Sequence, residues 1–298
     1  MKTAVDIPWG KGTMTIPLPE NWRLMGTLTP PSSPALESPA AELRHRLRDP
    51  IAARPLRDRD LSRSRIVIAV EDGSRPTPVR EFFGALREEL LAAGAQQENL
   101  SLLMALGVHR PMTQQEVEDK VGKENLQGLR WFNHDAKNPE VLGSLGATSR
   151  GTPVAFNRAL LESDLILVVG GIEPHALLGF SGGVKMLLPG CASAETIACN
   201  HLQGVSPTRF DLVGVDPEAS PMRLDMEEAA RMLGKEIFSS TRSRITTTGS
   251  APSSAATRSG RSGRGWPCPG RSTAFPSRNR RTCCSPARRP WTTTSGRA

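Results

Sequence analysis

The chain has 298 residues and a formal net charge of +8, from 38 Lys and Arg against 30 Asp and Glu. Twelve Arg lie between residues 238 and 298, a segment without Lys, Asp or Glu, so the first 237 residues have a net charge of −4. The basic excess is therefore a property of the last segment, and the rest has the charge balance of an ordinary, slightly acidic soluble protein.

Three classes of protein are disfavoured by the same inspection. The five cysteines contain no CxxC pair, which argues against a zinc ribbon or a disulfide framework. The amino terminus lacks the apolar stretch of a signal peptide, and no later segment approaches the ~20 apolar residues that span a bilayer. We therefore expect a cytoplasmic protein without a membrane partner.

The last segment differs from the rest in composition as well as in charge. Residues 238–298 contain no Leu, Val or Met and a single Ile, Ile245. Such a segment cannot bury enough apolar surface to offset the entropy of ordering it, so we predict disorder. Its mixture of Arg, Ser, Pro, Gly, Ala, Cys and Trp is typical of a GC-rich gene read out of frame, which we prefer over a natural basic tail. The predicted organisation is one domain over residues 1–237 and a disordered tail over 238–298.

Strands are predicted where short apolar runs end in turn residues. The run Ile66-Val67-Ile68-Ala69-Val70 reads as a buried strand, and a weaker alternating segment near the amino terminus suggests an edge hairpin. In chain order, the predicted strands cover residues 13–17, 66–70, 100–106, 129–132 and 164–169.

Helices are predicted between these strands from apolar spacing and from residues that favour helix ends. Thr77 is expected to cap the helix that Pro78 opens, and Thr113 with Glu116 forms a capping box. Further helices are predicted over residues 40–49, after Ser193, and from residue 220 to a stop at residue 234. Alternating strands and helices predict a doubly wound, mostly parallel α/β sheet of the Rossmann-like kind.

The reactive side chains cluster in this prediction. Asp72 and Arg75 follow the strand at 66–70, His109 and Arg110 follow the strand at 100–106, and Glu173 and His175 follow the strand at 164–169. In a parallel sheet these carboxyl ends share one edge, which is where such folds bind ligands. We therefore expect a single active site there.

A glycine-rich segment at residues 179–190 is more specific than any single histidine. Gly182 and Gly183 would let the backbone approach a bound group, and Lys185 lies among apolar residues, where desolvation favours its neutral, nucleophilic form. A phosphate-binding P-loop is the competing interpretation. It fails because Lys185 follows Val184, and Met186 stands where a Ser or Thr would bind magnesium.

Each of these residues also has a simpler interpretation. His109 could be a solvated loop residue, and Arg75 could pair with Asp72 to hold the turn. His201, which follows Asn200, could be favoured near a helix carboxyl end by the helix dipole. The two remaining histidines, at positions 45 and 134, are interpreted as structural or surface residues.

Five ordered segments resemble the successive motifs of the lactate racemase family, over roughly residues 5–235. They are Glu71 to Pro78 (EDGSRPTP), Gly107 to Thr113 (GVHRPMT), Gly170 to His175 (GGIEPH), Gly179 to Lys185 (GFSGGVK) with Leu188 to Gly190 (LPG), and Glu195 to Ile197 (ETI) before Asn200-His201. One departure is Val108, at a position where the family favours Thr. It affects a neighbour of His109 without removing the histidine.

The resemblance implies an isomerase, a nickel-dependent 2-hydroxy-acid racemase that uses a nickel pincer nucleotide, a pyridinium mononucleotide with sulfur donors. By resemblance, Lys185 would bond covalently to the cofactor and His201 would bind nickel. His109 and His175 would be the catalytic acid and base on opposite faces of the substrate. Arg75 would bind the substrate carboxylate, with Asp72 supporting the substrate and cofactor sites by hydrogen bonding.

Family members are longer, with a second domain after the point where this chain becomes rich in Arg, Ser, Thr and Pro. We therefore expect impaired activity from this chain alone. Two alternatives stay open at the level of sequence. The substrate could be another 2-hydroxy acid or a sugar acid, or the basic tail could bind nucleic acid, although we expect no nucleic-acid partner.

Overall fold

The computed structural model describes residues 4–9, 12–26, 38–205, 212–243, 253–255 and 274–275. The strands are β1 (Ala4–Trp9), β2 (Gly12–Pro17), β3 (Ile66–Glu71), β4 (Leu100–Ala105), β5 (Arg130–Asn133), β6 (Leu142–Ala147), β7 (Pro153–Asn157), β8 (Leu165–Ile172), β9 (Pro174–His175), β10 (Gly179–Phe180), β11 (Glu236–Ser243), β12 (Ser253–Ala255) and β13 (Ala274–Phe275). The α-helices are α1 (Pro39–Arg48), α2 (Phe83–Ala92), α3 (Gln114–Val121), α4 (Arg158–Glu162), α5 (Ala194–Leu202) and α6 (Pro221–Met232).

The central sheet has five neighbouring parallel strands in the order β11-β8-β3-β4-β5. Strands β12 and β13 both pair with β11 in antiparallel orientation. All six residues of β3 are buried, as expected for a central strand covered on both faces. The predicted α/β class with a mostly parallel sheet is confirmed.

Alternate residues of the strands pack into two separate cores, one on each face of the sheet. Ile66, Ile68 and Val70 of β3 contact the core formed with α1, α2 and α3. Val67 and Ala69 point the other way, into the core formed with α5, α6 and the β6-β7 hairpin. This period of two explains why β3 is apolar at every position but its last, and why helices must cover both faces.

Most of the predicted helix ends are confirmed. Thr113 and Glu116 form the capping box that begins α3, and Ser193 and Ser220 cap α5 and α6 with their hydroxyls. The prediction for Thr77 was wrong, because α2 begins at Phe83 after a short 3-10 turn at 79–81 and has no side-chain cap. Thr77 is buried, and its carbonyl accepts a hydrogen bond from Lys120.

Two features went unpredicted. The antiparallel hairpin β6-β7 lies between β5 and β8 and carries Phe156 into the second core. Strand β11 runs along the whole of β8 and ends at Ser243, past residue 237, where we placed the end of the domain. Apart from β11, β12 and β13, the predicted tail lies outside the described residues, as does most of the Pro-rich stretch at 29–39. The domain boundary and the disorder of the tail stay predictions.

In the ranges described above, no helix is both long and apolar enough to cross a membrane.

Candidate functional site

A cavity of about 220 Å³ opens at the carboxyl ends of β3, β4 and β8. It brings together six of the eight residues predicted for the site, which are Asp72, Arg75, His109, His175, Lys185 and His201. The other two, Gly182 and Gly183, do not line it. The edge predicted from the strand ends is therefore the edge at which these side chains meet, although they come from five separate segments of the chain.

Asp72 holds the turn that follows β3 and also contacts His109. Its Oδ1 accepts hydrogen bonds from the backbone N–H of Ser74 at 2.9 Å and from the Ser74 hydroxyl at 2.5 Å. Its Oδ2 lies 2.5 Å from Nδ1 of His109. Because a carboxylate accepts, Nδ1 of His109 carries a proton, and in the neutral ring the lone pair is therefore on Nε2. His109 is thereby held in the tautomer that can accept a proton.

The Asp72 carboxyl stays ionised under most conditions. Burial raises its pKa, but the hydrogen bonds from Ser74 and His109 outweigh burial and leave the pKa below its ordinary value. A carboxyl with a lowered folded-state pKa stabilises the fold above its unfolded-state pKa, and this stabilisation disappears as the pH falls through the folded-state value. The contact with His109 therefore persists at neutral pH.

Replacing Asp72 with asparagine tests this orientation directly. An amide can donate as well as accept, so D72N no longer specifies which nitrogen of His109 bears the proton. We expect the resting population of the Nδ1–H tautomer to fall, and any reaction that needs Nε2 as base to slow by up to about 10⁴-fold, the loss that replacing an orienting aspartate with asparagine causes in a serine-protease triad. Nitrogen NMR of the His109 ring reports the tautomer. An unchanged tautomer in D72N would contradict the assignment.

Arg75 is exposed and lines the cavity. Within the described ranges its guanidinium makes no ion pair with a carboxylate; Asp72 is occupied by Ser74 and His109 instead. The simpler interpretation, in which Arg75 pairs with Asp72 to hold the turn, is therefore not what the structure has. An unpaired guanidinium at a cavity wall can bind an anion through two parallel hydrogen bonds.

His175 lies in the short β9-β10 hairpin that follows β8 and lines the cavity. Its Nδ1 accepts a hydrogen bond from the backbone N–H of Leu177 at 3.2 Å. Burial, followed by the nearby charges of Lys185, Arg75 and His201, lowers the pKa of His175 to about 4. At neutral pH the ring is therefore neutral, with its proton on Nε2, and it is a hydrogen-bond donor where His109 is an acceptor.

Lys185 lies in the 3-10 turn Gly183–Met186 and is only 8% exposed. Burial and the charge of Arg75 lower its pKa to about 8, against the opposing effect of Glu173 and Glu71. A measurable fraction of the amine is therefore neutral near physiological pH, and that form is the nucleophilic one.

The two glycines before Lys185 act through the backbone. Gly182 and Gly183 have φ of +85° and +55°. A Cβ on Gly182 would lie 2.8 Å from Cγ1 of Ile172 and 3.0 Å from the carbonyl oxygen of Gly171. Glycine is thus needed to turn the chain close against the end of β8. This packing accounts for Gly182 without a bound group, and cofactor contact by Gly182 and Gly183 stays a prediction.

His201 lies in the last turn of α5 and lines the cavity. Its Nδ1 donates to the carbonyl of Ile197 at 2.8 Å, which leaves Nε2 available as a metal ligand. The preceding Asn200 donates to Oδ2 of the fully buried Asp225 at 2.7 Å and to the carbonyl of Met222 at 3.1 Å. These bonds join α5 to α6 and fix the helix that carries His201.

The other two histidines do not take part. His134 is buried away from the cavity; its Nε2 donates to the carbonyl of Ala192 at 2.9 Å, and its Nδ1 lies 3.2 Å from the side-chain nitrogen of Asn157. His45 is exposed on α1. Both agree with the structural or surface role expected for them.

Sequence reasoning missed several polar residues that support the site. Glu71 lines the cavity, Lys120 lies behind it, and Asp225 anchors α5. Glu71 had a detectable signal, since it begins a strand-end segment that was noted for its neighbours, whereas Glu173, which was predicted at this edge, does line the cavity. Nothing local marks Lys120 or Asp225, which look like the polar positions of ordinary amphipathic helices.

Comparison with known proteins identifies relatives for most of this domain. Residues 9–210 match the family model of the lactate racemase N-terminal domain. The chain is 32% identical over 229 residues to the lactate racemase of Thermoanaerobacterium thermosaccharolyticum, covering 76% of this chain and 53% of the relative. It is 30% identical over 201 residues to the lactate racemase of Lactiplantibacillus plantarum, covering 66% of this chain and 47% of the relative.

A solved structure agrees with these matches. The lactate racemase apoprotein of T. thermosaccharolyticum superposes with a TM-score of 0.66 at 31% identity, covering 80% of this chain and 56% of that one. The chain thus spans about half the length of each of these relatives. The ordered motifs, the fold and the family model all lead to the same assignment, and the chain belongs to the lactate racemase family, through its N-terminal domain.

Proposed function

We propose that this chain is the cofactor-holding part of a racemase that interconverts the enantiomers of a small 2-hydroxy acid. The observation that carries the proposal is the single cavity lined by Arg75, His109, His175, Lys185 and His201. It combines an anion-binding group, two imidazoles held in opposite tautomers, a nucleophilic amine and a free imidazole nitrogen. Lactate is the first candidate, since the relatives carry that name.

The chemistry of the substrate explains why such a set is needed. The hydrogen on C2 of a 2-hydroxy acid is too weakly acidic for an unaided side-chain base. It can leave instead as a hydride, with its electron pair, while a histidine takes the proton of the hydroxyl. The product is a planar 2-keto acid. Return of the hydride to the other face of C2, with a proton to the oxygen, gives the opposite enantiomer.

The two histidines would divide the proton transfers between them. His109, with Nδ1–H donated to Asp72, begins as the acceptor for a hydroxyl proton. His175, with Nδ1 accepting from Leu177, begins neutral with its proton on Nε2, and it can return a proton to the 2-keto acid only as the imidazolium, after taking up a second proton from solvent. Two imidazoles are required because the hydroxyl of the two enantiomers lies on opposite sides of the substrate. Their opposite resting tautomers favour one direction of the first turnover and leave the overall equilibrium unchanged.

Arg75 would bind the carboxylate of the substrate. A guanidinium forms two parallel, charge-assisted hydrogen bonds to a carboxylate, which fixes orientation as well as position. The same contact would keep the planar 2-keto acid from leaving before the hydride returns. The unpaired state of Arg75 in the described part of the chain supports this role.

The residues present fit a nickel pincer nucleotide. Lys185, whose pKa is about 8, would attach it covalently, and Nε2 of His201 would bind the nickel. No group of three or more His, Cys, Asp or Glu suited to hold a metal ion occurs among the described residues, and a single imidazole suits an ion whose other ligands belong to the cofactor. Such a group, when bound, supplies a reversible hydride acceptor.

Reconstitution tests the proposal. The chain, and a fusion of residues 1–243 to the unmatched carboxyl-terminal half of the T. thermosaccharolyticum relative, are incubated with the nickel pincer nucleotide. We expect intact-mass spectrometry to show one covalent adduct on each, absent from K185A, and chiral chromatography to show racemisation of lactate or another 2-hydroxy acid by the fusion. A loaded fusion that racemises none of a panel of 2-hydroxy acids would defeat the proposal.

A further inference from the structure

A buried ion pair lies directly behind the cavity. Nζ of Lys120, in α3, lies 3.0 Å from Oε1 of Glu71, the last residue of β3, and the two side chains are only 6% and 4% exposed. A charge pair at this depth forms at a considerable desolvation cost, so it adds little stability compared with apolar residues of similar size. Its presence next to the candidate site calls for a reason other than stability.

Lys120 uses all of its hydrogen-bonding capacity on the end of β3 and the loop that follows it. Besides Glu71, its ammonium donates to the carbonyl of Arg75 at 2.8 Å and to the carbonyl of Thr77 at 3.1 Å. Three donors thus meet three acceptors. The two carbonyls flank Pro76, so the ammonium fixes the backbone on both sides of the residue that follows Arg75.

Glu71 connects this loop to the neighbouring strand. Its second oxygen, Oε2, accepts a hydrogen bond from the backbone N–H of Gly171 at 2.8 Å. A Cβ at Gly170 would lie 2.8 Å from the same oxygen, so β8 needs glycine there to approach the carboxylate. Glu71 also lines the cavity, and its negative charge raises the pKa of Lys185 against the lowering effect of burial.

We infer that Lys120 and Glu71 form a positioning pair that holds the loop at 72–77 so that Arg75 can receive a substrate carboxylate. The inference rests on the proposed function, because it assigns Arg75 that role. The pair does not touch the reacting atoms; it acts through the backbone of Arg75 and Thr77. Lys120 also balances the charge of Glu71. The carboxylate therefore raises the pKa of Lys185 less than it would without this partner.

The test compares K120M, E71Q and the double variant K120M/E71Q with the unaltered chain and with K123M, which changes an exposed lysine three residues away. Hydrogen exchange measures the protection of amides 72–77. Titration with oxamate, an analogue of a 2-keto acid, measures carboxylate binding. Acetylation by acetic anhydride across a pH series, read by peptide mass spectrometry, gives the apparent pKa of Lys185.

We expect K120M to exchange amides 72–77 faster and to bind oxamate about tenfold more weakly, because Arg75 remains but its backbone is no longer held in place. The apparent pKa of Lys185 should rise in K120M and fall in E71Q, because one change exposes the charge of Glu71 and the other removes it. Opposite shifts would show that the charges of the pair act on Lys185, whereas amide exchange and oxamate affinity report whether the pair positions Arg75. K123M should resemble the unaltered chain in all three measurements.

The double variant keeps the test decisive if K120M does not fold, because it leaves no buried charge without a partner. It should still lack loop protection and bind oxamate weakly. Normal protection and normal binding in K120M/E71Q would overturn the inference. If oxamate fails to bind even the unaltered chain, the role of Arg75 in the proposed function fails, whereas hydrogen exchange of amides 72–77 still decides whether the pair holds the loop.

Discussion

Replacing Lys185 with methionine is expected to make the protein more stable at neutral pH and to abolish covalent loading. The buried ammonium is the reason. Because the folded-state pKa of about 8 lies below the ordinary value of 10.5, the unfolded chain binds the proton more tightly than the folded one. At neutral pH this difference amounts to at most about 3 kcal/mol, at 1.36 kcal/mol for each pKa unit.

The pH dependence identifies the cause. The buried ammonium lowers the free energy of unfolding by its full amount below about pH 8, and this destabilisation disappears as the pH rises towards 10.5. The unfolding free energies of the unaltered chain and of K185M, measured in urea across this range, should therefore converge at high pH. K137M, at an exposed position, is the matched control and should show no such convergence. A K185M variant that is less stable than the unaltered chain at pH 7 would contradict the account.

A K185M variant that is more stable but takes up no cofactor would show that Lys185 lowers the stability of the fold for the sake of function. Residues held in an unfavourable state are common at active sites, where function requires a form that the fold alone would not select. Here burial among Val184, Met186 and Leu187 lowers the stability of the charged amine and in return provides a neutral nucleophile near physiological pH. An environment that stabilised the charged amine would raise the pKa of Lys185 and reduce the fraction of the nucleophilic form at neutral pH.

The fold could be predicted largely from local patterns. The run Ile66–Val70 is apolar throughout because β3 is covered on both faces, and the capping residues Thr113 and Ser193 mark where helices begin. Strand β11 was missed because its sequence after Phe238 is polar. Its place is set by pairing along β8, over seventy residues earlier in the chain, and not by its own composition.

The same distinction applies to the site. Asp72, His109 and His175 could be placed together because parallel strands bring their carboxyl ends to one edge, whatever the sequence between them. Partners on helices could not be placed in this way. Lys120 contacts Glu71 across 49 residues and Asp225 contacts Thr148 across 77, and in both cases the helix periodicity fits a solvated polar position equally well.

Replacing either His109 or His175 with glutamine is expected to abolish racemisation in both directions. Inversion requires one histidine to take the hydroxyl proton from the first enantiomer and the other to return a proton to the 2-keto acid from the opposite side. Loss of either group therefore interrupts the complete cycle, with a decrease of at least about 10²- to 10⁴-fold for the missing acid or base. The two variants should nevertheless differ in the enantiomer that each can convert to the 2-keto acid.

Each variant should retain the half reaction of one enantiomer. H175Q keeps His109 and its contact with Asp72, so it should form 2-keto acid in a single turnover from the enantiomer whose hydroxyl faces His109. H109Q should do so only from the opposite enantiomer, and only after His175 has exchanged its proton on Nε2 for one on Nδ1, which breaks its hydrogen bond with Leu177. The measurement is the burst of 2-keto acid formed by the loaded fusion protein from each pure enantiomer, with H45Q, at an exposed position, as the control.

The isotope content of the product gives a second, independent readout. If the hydrogen on C2 leaves and returns as a hydride, the unaltered fusion should racemise the acid in deuterated water without incorporating deuterium at C2, because only the hydroxyl proton exchanges with solvent through the histidines. Deuterium at C2 would show that a histidine removes that hydrogen as a proton. Bursts from the same enantiomer in both variants would show that His109 and His175 do not serve opposite faces.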